Sequence, residues 1–317
     1  MKRWITAAVI LVFAGAAIMA GIMYHLDFDF TKLSKTVFVE NSIDITDDFA
    51  EISADISTDL RFVPSENGSC TVRYTEQKGI DISAAVEDGV LVIKETDMRD
   101  WYDRIDFTLS SHETGITVFM PEKEYDSLII NSSWGDVTVP GDFSFREIGI
   151  HSDSGDISCK APASGTVSIN SDSGDICVSD VSSEKLNIAT ISGEIAVSGT
   201  NVAGNCNLKS DSGYFTVSKM ECAGFASKTR SGCFTAESLV AKGKMNIKST
   251  SGDVTLSRCD AGEIAISTDS GDVAGTLLSG KDFDAETVSG NISVPNTSEG
   301  GKCGISTVSG DVSMIVL

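Results

Sequence analysis

Groups suited to catalysis are scarce in this sequence. The three histidines are His25, His112 and His151. His151 lies near Asp153, and we interpret it as a polar residue of a strand. The arginines after residue 132 are Arg146, Arg230 and Arg258, and they do not cluster. Because acid–base catalysis needs positioned groups within hydrogen-bond reach of a substrate, we predict no enzymatic activity and no cofactor.

Basic residues and helical patterns are also in short supply. Lys and Arg total 24 against 46 Asp and Glu, which gives a formal net charge of −22. An acidic chain repels nucleic acid and anionic lipid headgroups. Proline occurs five times, and no segment after residue 26 carries a long helical pattern of apolar residues. These absences exclude nucleic acid as a partner and argue against a leucine-rich-repeat or βα design.

What the sequence does contain is a short corner, Ser-Gly-Asp in its plainest form, that recurs ten times. Its glycines are Gly135, Gly155, Gly174, Gly193, Gly213, Gly232, Gly252, Gly271, Gly290 and Gly310. Successive glycines are 19 or 20 residues apart. A period held this strictly is the signature of a stacked-repeat architecture.

Each repeat has the pattern of a strand, the corner, a second strand and a looser return. Apolar pairs spaced by two, such as Val167/Ile169, place both side chains on one face of a strand. The second residue after each corner glycine is always Val, Ile or Phe, as in Ile176. Equal corners bring like residues of successive coils into register. The sequence therefore predicts an all-β, single-stranded parallel β-helix (a solenoid) of about 19–20 residues per coil with a narrow apolar core.

We expect separate roles for the residues of the corner. Glycine supplies the positive φ that a sharp bend needs. The Ser or Thr three residues before it points inward and hydrogen-bonds the coils above and below, because a buried hydroxyl is costly unless it is satisfied. The Asp after the glycine accepts backbone N–H bonds at the turn.

Several corners carry the pattern Asp-Ser-Gly-Asp. The aspartates concerned are Asp153, Asp156, Asp172, Asp175, Asp269 and Asp272. Stacked carboxylates repel one another, and Ca²⁺ would relieve this with oxygen ligands. The period is not the nonapeptide of calcium-binding β-rolls, and the acidic row is interrupted at several corners. Turn capping is the favoured interpretation, and a calcium ladder is the alternative.

The eight cysteines fall at varied phases of the repeat and include no C-x-x-C pair, so no zinc site is predicted. Cys206 and Cys303 share a phase but lie five coils apart, beyond disulfide reach. We expect these two and Cys159 to be small core residues, and Cys177 and Cys233 to point outward.

The N-terminal segment is apolar. The chain opens Met1-Lys2-Arg3 and then runs without a charge from Trp4 to Tyr24. About twenty apolar residues suit a membrane-spanning helix, and the positive flank places the N terminus in the cytoplasm. Residues 1–26 thus predict a single-pass anchor in the cytoplasmic membrane, followed by a stem over 27–36 and an extracytoplasmic domain. The alternative is a cleaved signal peptide and secretion, for which the cleavage motif is weak.

Residues 37–131 are strand-like but irregular, whereas residues 132–317 carry the regular repeats. Asn67-Gly68 and Asp88-Gly89 predict tight turns. We interpret residues 37–131 as capping coils of the same solenoid, since terminal repeats are often atypical. A separate small β domain is the alternative.

Aromatic residues concentrate near this end. Met98–Asp106, with Trp101, predicts an exposed loop. Trp134, which replaces a corner serine, is expected to cover the first regular coil rather than to bind a sugar. At the other end the chain stops without a polar cap, and an open strand end invites pairing. We expect the last strand to be tucked in, with contact to another copy or a partner as the alternative.

The N-terminal segment, the irregular lead-in and the repeated Ser/Thr-Gly-Asp-Ile/Val corners resemble the bacterial family DUF4097, a family of β-strand repeat-containing candidate adhesins. The stretches Val86–Ile93 and Val118–Pro121 are also similar to it. The resemblance covers nearly all of residues 37–317. It implies a right-handed parallel β-helix outside the cytoplasmic membrane and brings no catalytic residues with it.

The sequence therefore predicts a non-enzymatic, membrane-anchored, extracytoplasmic solenoid that serves as a surface scaffold, an adhesin or an envelope-sensing partner. An envelope protein or a glycan is the expected partner, and a homo-oligomer is left open. The first alternative is a calcium-assisted glycan-binding module. The second is a polysaccharide-active β-helix enzyme, which would need clustered carboxylates and a base in a groove.

Overall fold

The structure is a computed structural model that describes residues 15, 19–21, 23–24, 39–76, 79–99, 115–297 and 299–317. Most of the predicted membrane segment, the whole stem and most of the Met98–Asp106 loop, including Trp101, lie outside these residues. The part of the chain that is described contains no helix both long and apolar enough to cross a membrane. From residue 39 onward, its regular structure is β-strand.

The strands belong to one hydrogen-bonded sheet that winds around a central core. The N-terminal cap contains β1 (Val39–Ile45), β2 (Glu51–Ile56), β3 (Asp59–Pro64), β4 (Cys70–Glu76), β5 (Ile80–Glu87), β6 (Val90–Asp97) and β7 (Gly115–Met120). The first regular coils contain β8 (Glu124–Ser132), β9 (Val137–Val139), β10 (Ser144–Ser152), β11 (Ile157–Cys159), β12 (Thr166–Ser171), β13 (Ile176–Ser179), β14 (Ser182–Ser183), β15 (Lys185–Thr190) and β16 (Ile195–Ser198). Longer strands follow as β17 (Asn201–Ser210), β18 (Phe215–Lys228), β19 (Phe234–Lys248) and β20 (Val254–Ser267). The C-terminal end contains β21 (Val273–Leu277), β22 (Lys281–Ser289), β23 (Ile292–Ser293), β24 (Gly301–Ser309) and β25 (Val312–Val316).

Like residues of successive coils pair in parallel, as the repeat predicts. Before the corner, Ile150 pairs with Ile169 and Ile169 with Ile188. After the corner, Ile157 pairs with Ile176 and Ile176 with Ile195. The predicted all-β parallel solenoid is therefore confirmed.

The later coils gain a third paired side. β18 and β19 run on from the strand after one corner to the strand before the next, with register shifts such as the one between Cys222 and Phe225. The third side includes the pairs Val202–Cys222, Cys222–Ala241 and Ala241–Ala261. Each coil is thus closed by hydrogen bonds on three sides in this part of the rod.

The core is one continuous apolar column enclosed by these sides. Side chains alternate inward and outward along each strand, so β13 buries Ile176 and Val178 and exposes Cys177. A single cluster of buried residues runs from Phe49 in the cap to Met314 near the C terminus. Burial of apolar surface along this column is the main favourable term that holds the coils together.

At the N-terminal end, strands of the cap continue the same sheet. β2 pairs in parallel with β8, and β3 pairs in parallel with β7 and β9. Antiparallel strands then end the sheet beyond these parallel pairs. β5 pairs with β6, β4 pairs with β7, and β1 pairs with β4. The turn residues Gly68 and Gly89 have positive φ values of 71° and 82°. Gly89 lies in the hairpin turn between β5 and β6, whereas Gly68 lies in the connection from β3 to β4, which are separated by β7.

At the C-terminal end, the coils do not stack in chain order. β24 lies between β20 and β22, because Cys303 pairs with both Ile264 and Phe283. Likewise β25 lies between β21 and β23. The expectation that the last strand is tucked in is confirmed. The coil that closes this end of the rod is β22–β23 rather than the end of the chain.

Candidate functional site

The ten corner glycines form one column along the rod. A Cβ atom built at Gly155, Gly174 or Gly193 would overlap the backbone carbonyl of the glycine one coil before it. Of the corner glycines only Gly252 has a positive φ. The expectation that these glycines supply a positive φ is therefore wrong for the column as a whole. Glycine is required because backbones approach too closely for any side chain.

The inward hydroxyls of the first corners act within their own corner. In the described part of the chain, the buried hydroxyls of five later corners have no hydrogen-bond partner, against expectation: Thr190, Ser210, Thr229, Ser249 and Thr268. Ser132 Oγ donates to the carbonyl of Gly135 at 2.8 Å, and Ser152 Oγ donates to that of Gly155 at 3.0 Å. The expected bonds between coils occur at the C-terminal end, where Thr287 Oγ1 donates to the carbonyl of Gly310 at 3.1 Å. At Ser132 and Ser152 no bond to the next coil forms because the hydroxyl faces the carbonyl of its own tight turn.

The acidic residue after the glycine links neighbouring coils. Asp136 Oδ1 accepts the backbone N–H of Asp156 at 2.9 Å, and Asp156 Oδ1 accepts that of Asp175 at 2.8 Å. Asp59 begins this series, since its Oδ1 accepts the N–H of Asp136 at 2.9 Å. The carboxylates therefore cap the turn of the next coil. The described residues include no group of three or more His, Cys, Asp or Glu side chains arranged to hold a metal ion.

Among the other aspartates of the predicted acidic ladder, Asp153 and Asp269 differ from this column, whereas Asp272 belongs to it. Asp153, two residues before the corner glycine, lies 3.4 Å from His151 Nε2 at the surface. Asp272 belongs to the capping series, because it donates its backbone N–H to Asp253 Oδ1 at 2.9 Å and its own Oδ1 accepts from Asp311 at 2.8 Å. Asp269 lies in the position of Asp153 and accepts the N–H of Ser309 through its backbone carbonyl at 3.0 Å.

All eight cysteines are free, and six of them are buried. Cys159, Cys206 and Cys303 lie in the core, whereas Cys177 is exposed and Cys233 is half-buried, so the predicted orientations are confirmed. Burial raises the pKa of Cys159 to about 11. The core thiols are thus protonated at neutral pH and unsuited to nucleophilic chemistry.

A groove lies on the outer face of the N-terminal end, where β7 separates β3 from β4. Its volume is about 740 Å³. Gly115 and Thr117 of β7 line the middle of the groove, and the absence of a side chain at Gly115 deepens it. In this part of the cap, β7 pairs in parallel with β3 and antiparallel with β4. Unlike residues therefore lie next to each other across the three strands, instead of the like residues that stack along the regular coils.

Two arginines flank Thr117 in this groove. Thr117 pairs with Arg61 across the parallel contact and with Arg73 across the antiparallel contact. The guanidinium carbon of Arg73 lies 4.5 Å from the centroid of the Phe119 ring. Among the residues that the structure describes, neither guanidinium forms a salt bridge with a carboxylate. The pair is a local concentration of positive charge on a strongly acidic chain.

The two ends of the groove differ in chemistry. Glu40, Asp59 and Asp136 line one end, and Val63 and Phe119 line the other. The Asp59 and Asp136 carboxylates each use Oδ1 to cap the next corner. A carboxylate has a second oxygen with further acceptor capacity. The groove thus offers cationic donors in the middle, acceptors at one end and an apolar surface at the other.

Sequence reasoning did not find this groove. Arg61 and Arg73 lie in different strands and become neighbours only through β7, whose pairing partners are not evident from the repeat. The aromatic residues near this end instead point to Trp134, which the sequence predicts to cover the first coil. Trp134 is 73% exposed, so that expectation is wrong. The tight backbone column at the corner leaves the side chain no space except toward solvent.

A second surface lies at the C-terminal end. Among the described strands, β22 and β23 each pair on one side only, with β24 and β25. Val288 is 82% exposed and Val308, at the same phase in the adjacent coil, is 51% exposed. Phe283 of β22 is partly buried against the core. This end therefore presents apolar side chains and an open strand edge.

A buried ion pair lies just beneath that surface. Lys281 Nζ lies 2.7 Å from Asp260 Oδ1, and its side chain is almost fully buried. Burial by itself raises the pKa of Asp260, but the hydrogen bonds from Lys281 and Ser279 outweigh it and hold the pKa below its usual value. Asp260 therefore stays charged at neutral pH and pairs the one lysine of the described core.

Fold and surface together define a parallel β-solenoid with a charged groove at its N-terminal end, lined by two arginines and three carboxylates. A family model described as Toastrack DUF4097 matches residues 49–213 and 204–317. The chain therefore belongs to the DUF4097 (Toastrack) family.

Solved structures with a similar outline include candidate adhesins. One from Bacteroides fragilis is 13% identical, with 90% of this chain and 98% of that chain covered at a TM-score of 0.42. One from Parabacteroides distasonis is 17% identical, with 86% and 98% covered at a TM-score of 0.47. A candidate lipid-binding protein from Parabacteroides distasonis is 17% identical, with 88% and 96% covered at a TM-score of 0.49. None of the curated proteins matches this chain.

Proposed function

We propose that the protein is a non-enzymatic interaction scaffold of the cell envelope, anchored in the cytoplasmic membrane by residues 1–26, and that the N-terminal groove is its binding site. The observation that carries this proposal is the pair Arg61 and Arg73, neither of which forms a salt bridge with a described carboxylate, in a groove of about 740 Å³. Although the chain has a net charge of −22, the two guanidinium groups lie near each other and have no carboxylate partners in salt bridges among the described residues. A pair without them, beside donors, acceptors and an aromatic ring, is the expected composition of a site that recognises a ligand.

The position of the groove supports a role close to the membrane. Residues 27–38 separate the predicted anchor from β1, and β1 itself borders the groove through Glu40. A linker of this length reaches at most roughly 40 Å when fully extended. On this proposal the groove faces the envelope layer next to the membrane, and β22–β23 forms the far end of the rod.

A second candidate function is adhesion through that far end. The observation in its favour is the pair of exposed apolar residues there, Val288 of the β22–β23 coil and Val308 of the adjacent coil. Contiguous apolar surface on an otherwise polar protein marks interaction sites. An adhesin would use the end that is held farthest from its own membrane.

Site-specific photo-cross-linking in native cells tests both functions. A photoreactive residue would replace Thr138 beside the groove, Ser293 at the far end, or Thr216 midway along the rod as the control. All three positions are exposed on the same outer row. We expect specific adducts from position 138 that disappear in the Arg61→Gln/Arg73→Gln background. Adducts from position 293 alone would favour the adhesin, and equal labelling from all three positions would contradict both functions.

A further inference from the structure

We propose that the groove binds a sugar that carries a carboxylate, such as a uronic acid at the end of a glycan. This proposal deepens the proposed function, because it names the class of ligand for the same groove. It is argued from the two arginines, the three carboxylates and the apolar end, each of which restricts the ligand in a different way.

The arginines require a negative charge. Arg61 and Arg73 pair with the same residue, Thr117, from opposite sides, so their Cα atoms are about two strand spacings, or roughly 10 Å, apart. A guanidinium stays protonated at any physiological pH, and the two charges repel each other in the free protein. A planar carboxylate placed over Thr117 would accept hydrogen bonds from both guanidinium groups and remove that repulsion.

The carboxylates limit how much negative charge the ligand can carry. Glu40, Asp59 and Asp136 lie at one end of the same groove. A second anionic group extending toward them would be repelled, whereas hydroxyl groups would donate hydrogen bonds to their unused oxygens. This disfavours phosphate dianions and closely spaced polyanions. It favours a ligand with one carboxylate and several neutral hydroxyls.

The opposite end fits the less polar face of a sugar ring. Val63 and Phe119 line it, and both are partly exposed. The C–H groups of a pyranose ring pack against aromatic and aliphatic surface, and burying that surface is favourable. A monocarboxylated sugar is the simplest ligand that meets all three conditions together.

Calorimetric titration of the purified full-length chain in detergent micelles tests the ligand class. The probes are the methyl glycoside of galacturonic acid, which carries one carboxylate, and its methyl ester, which keeps the ring hydroxyls but removes the charge. We expect binding of the acid and at least about ten-fold weaker binding of the ester, in line with the loss of a charge-assisted hydrogen bond. Equal binding of acid and ester would overturn the proposal.

Variants locate the binding. Arg61→Gln and Arg73→Gln should each weaken binding of the acid about ten-fold or more. Arg146→Gln is the matched control, because Arg146 is an exposed arginine outside the groove that lies 3.6 Å from Asp126. Circular dichroism checks that each variant is folded. An unchanged affinity in both groove variants would overturn the proposal.

Failure of the ligand class can be separated from failure of the proposed function. If neither saccharide binds, but cross-linking at position 138 in cells still depends on Arg61 and Arg73, the groove is a binding site for another ligand and only the sugar proposal is overturned. Arginine-dependent binding to phosphatidylglycerol vesicles without saccharide binding would assign a lipid headgroup and overturn it as well. If the cross-linking is also absent, the proposed function fails too.

Discussion

At the scale of single residues, the corner is shaped by steric and hydrogen-bonding demands that differ from those of an isolated turn. Glycine is needed because the backbones of adjacent coils touch there, as at Gly174. The acidic residue stabilises the turn of the next coil rather than its own turn, since Asp175 Oδ1 accepts the N–H of Glu194 at 2.7 Å. Both roles come from stacking, which is why a corner motif repeats with so little variation.

Replacing a corner glycine should be costly even though its φ is negative. We expect Gly174→Ala to lower the free energy of unfolding by about 2–3 kcal/mol, because the new methyl group would overlap the carbonyl of Gly155 and force the coils apart. Gly304→Ala is the matched control, since nothing lies within 4 Å of a Cβ at Gly304. Chemical denaturation of the two purified variants gives the comparison. A similar loss in both would contradict the steric explanation.

Substitutions at neighbouring residues of one corner should differ sharply in how much they lower the free energy of unfolding. Asp175→Ala removes one hydrogen bond between coils at the surface, so we expect a loss of about 1–2 kcal/mol. Ile176→Asp places an unpaired carboxylate in the apolar core, where Ile176 is buried, and should cost more than about 4 kcal/mol. Thermal unfolding followed by circular dichroism measures both. Comparable losses would show that the inward and outward positions are wrongly assigned.

At the scale of elements, the final coil is held on both of its sides. The corner of that coil repeats the carboxylate bonds in both directions, because Asp311 donates its N–H to Asp272 Oδ1 at 2.8 Å and its own Oδ1 accepts the N–H of Asn291 at 2.7 Å. An inserted last coil leaves no free chain end at the tip of the rod. The tip is instead closed by β22, whose outward residues Asp282, Asp284 and Glu286 discourage edge-to-edge pairing.

Engineered disulfides can test this order of coils. Ser267 pairs with Ser306, and Ser306 pairs with Glu286. We expect Ser267→Cys/Ser306→Cys to form a disulfide on mild oxidation, because neighbouring strands bring the Cα atoms within bridging distance. Ser267→Cys/Glu286→Cys is the control, since the inserted strand holds these positions about two strand spacings apart.

Mass spectrometry of tryptic peptides identifies the bridge. The native cysteines remain in both variants and serve as an internal reference, with Cys177 the exposed one. A bridge that forms only between positions 267 and 286 would mean that the coils stack in chain order. That outcome would contradict the inserted position of β24.

At the scale of the whole molecule, the solenoid is a rod with two unlike ends and a high negative charge. The net charge of −22 is spread over many exposed carboxylates, which repel one another and weaken the compact state. Positive charge is set against these carboxylates at two places, namely at Arg61 and Arg73 in the groove and at the buried Lys281. The cap end thus sets two arginines beside carboxylates, whereas the far end sets exposed valines beside the outward acidic residues of β22.

Salt should therefore act in opposite directions on stability and on binding. We expect the midpoint of thermal unfolding to rise by a few degrees between 10 and 150 mM NaCl, because the Debye length shrinks from roughly 30 to 8 Å and screens the repulsion among carboxylates. Binding of a carboxylate ligand in the groove should weaken over the same range. Sucrose of equal osmolality is the control for non-ionic effects. A midpoint that falls with salt would contradict the dominance of self-repulsion.

The solenoid follows from the periodic pattern of residues alone. The fixed spacing from Gly135 to Gly310, together with an apolar residue such as Ile176 two positions after each glycine, allows only stacked coils with like residues in register. The outward position of Cys177 and the buried positions of Cys159 and Cys206 follow from strand alternation alone. These features are local and periodic, so the amino-acid sequence is enough to specify them.

The two ends of the rod are instead built by contacts between distant segments of the chain. The Arg61–Thr117–Arg73 row depends on an antiparallel strand joining a parallel one, and the inserted β24–β25 coil departs from chain order. Neither has a periodic signal, because each arises from contacts between segments that the repeat does not relate. The candidate site lies where the repeat stops, and there the choice of strand partners, rather than the pattern of residues, determined which side chains meet.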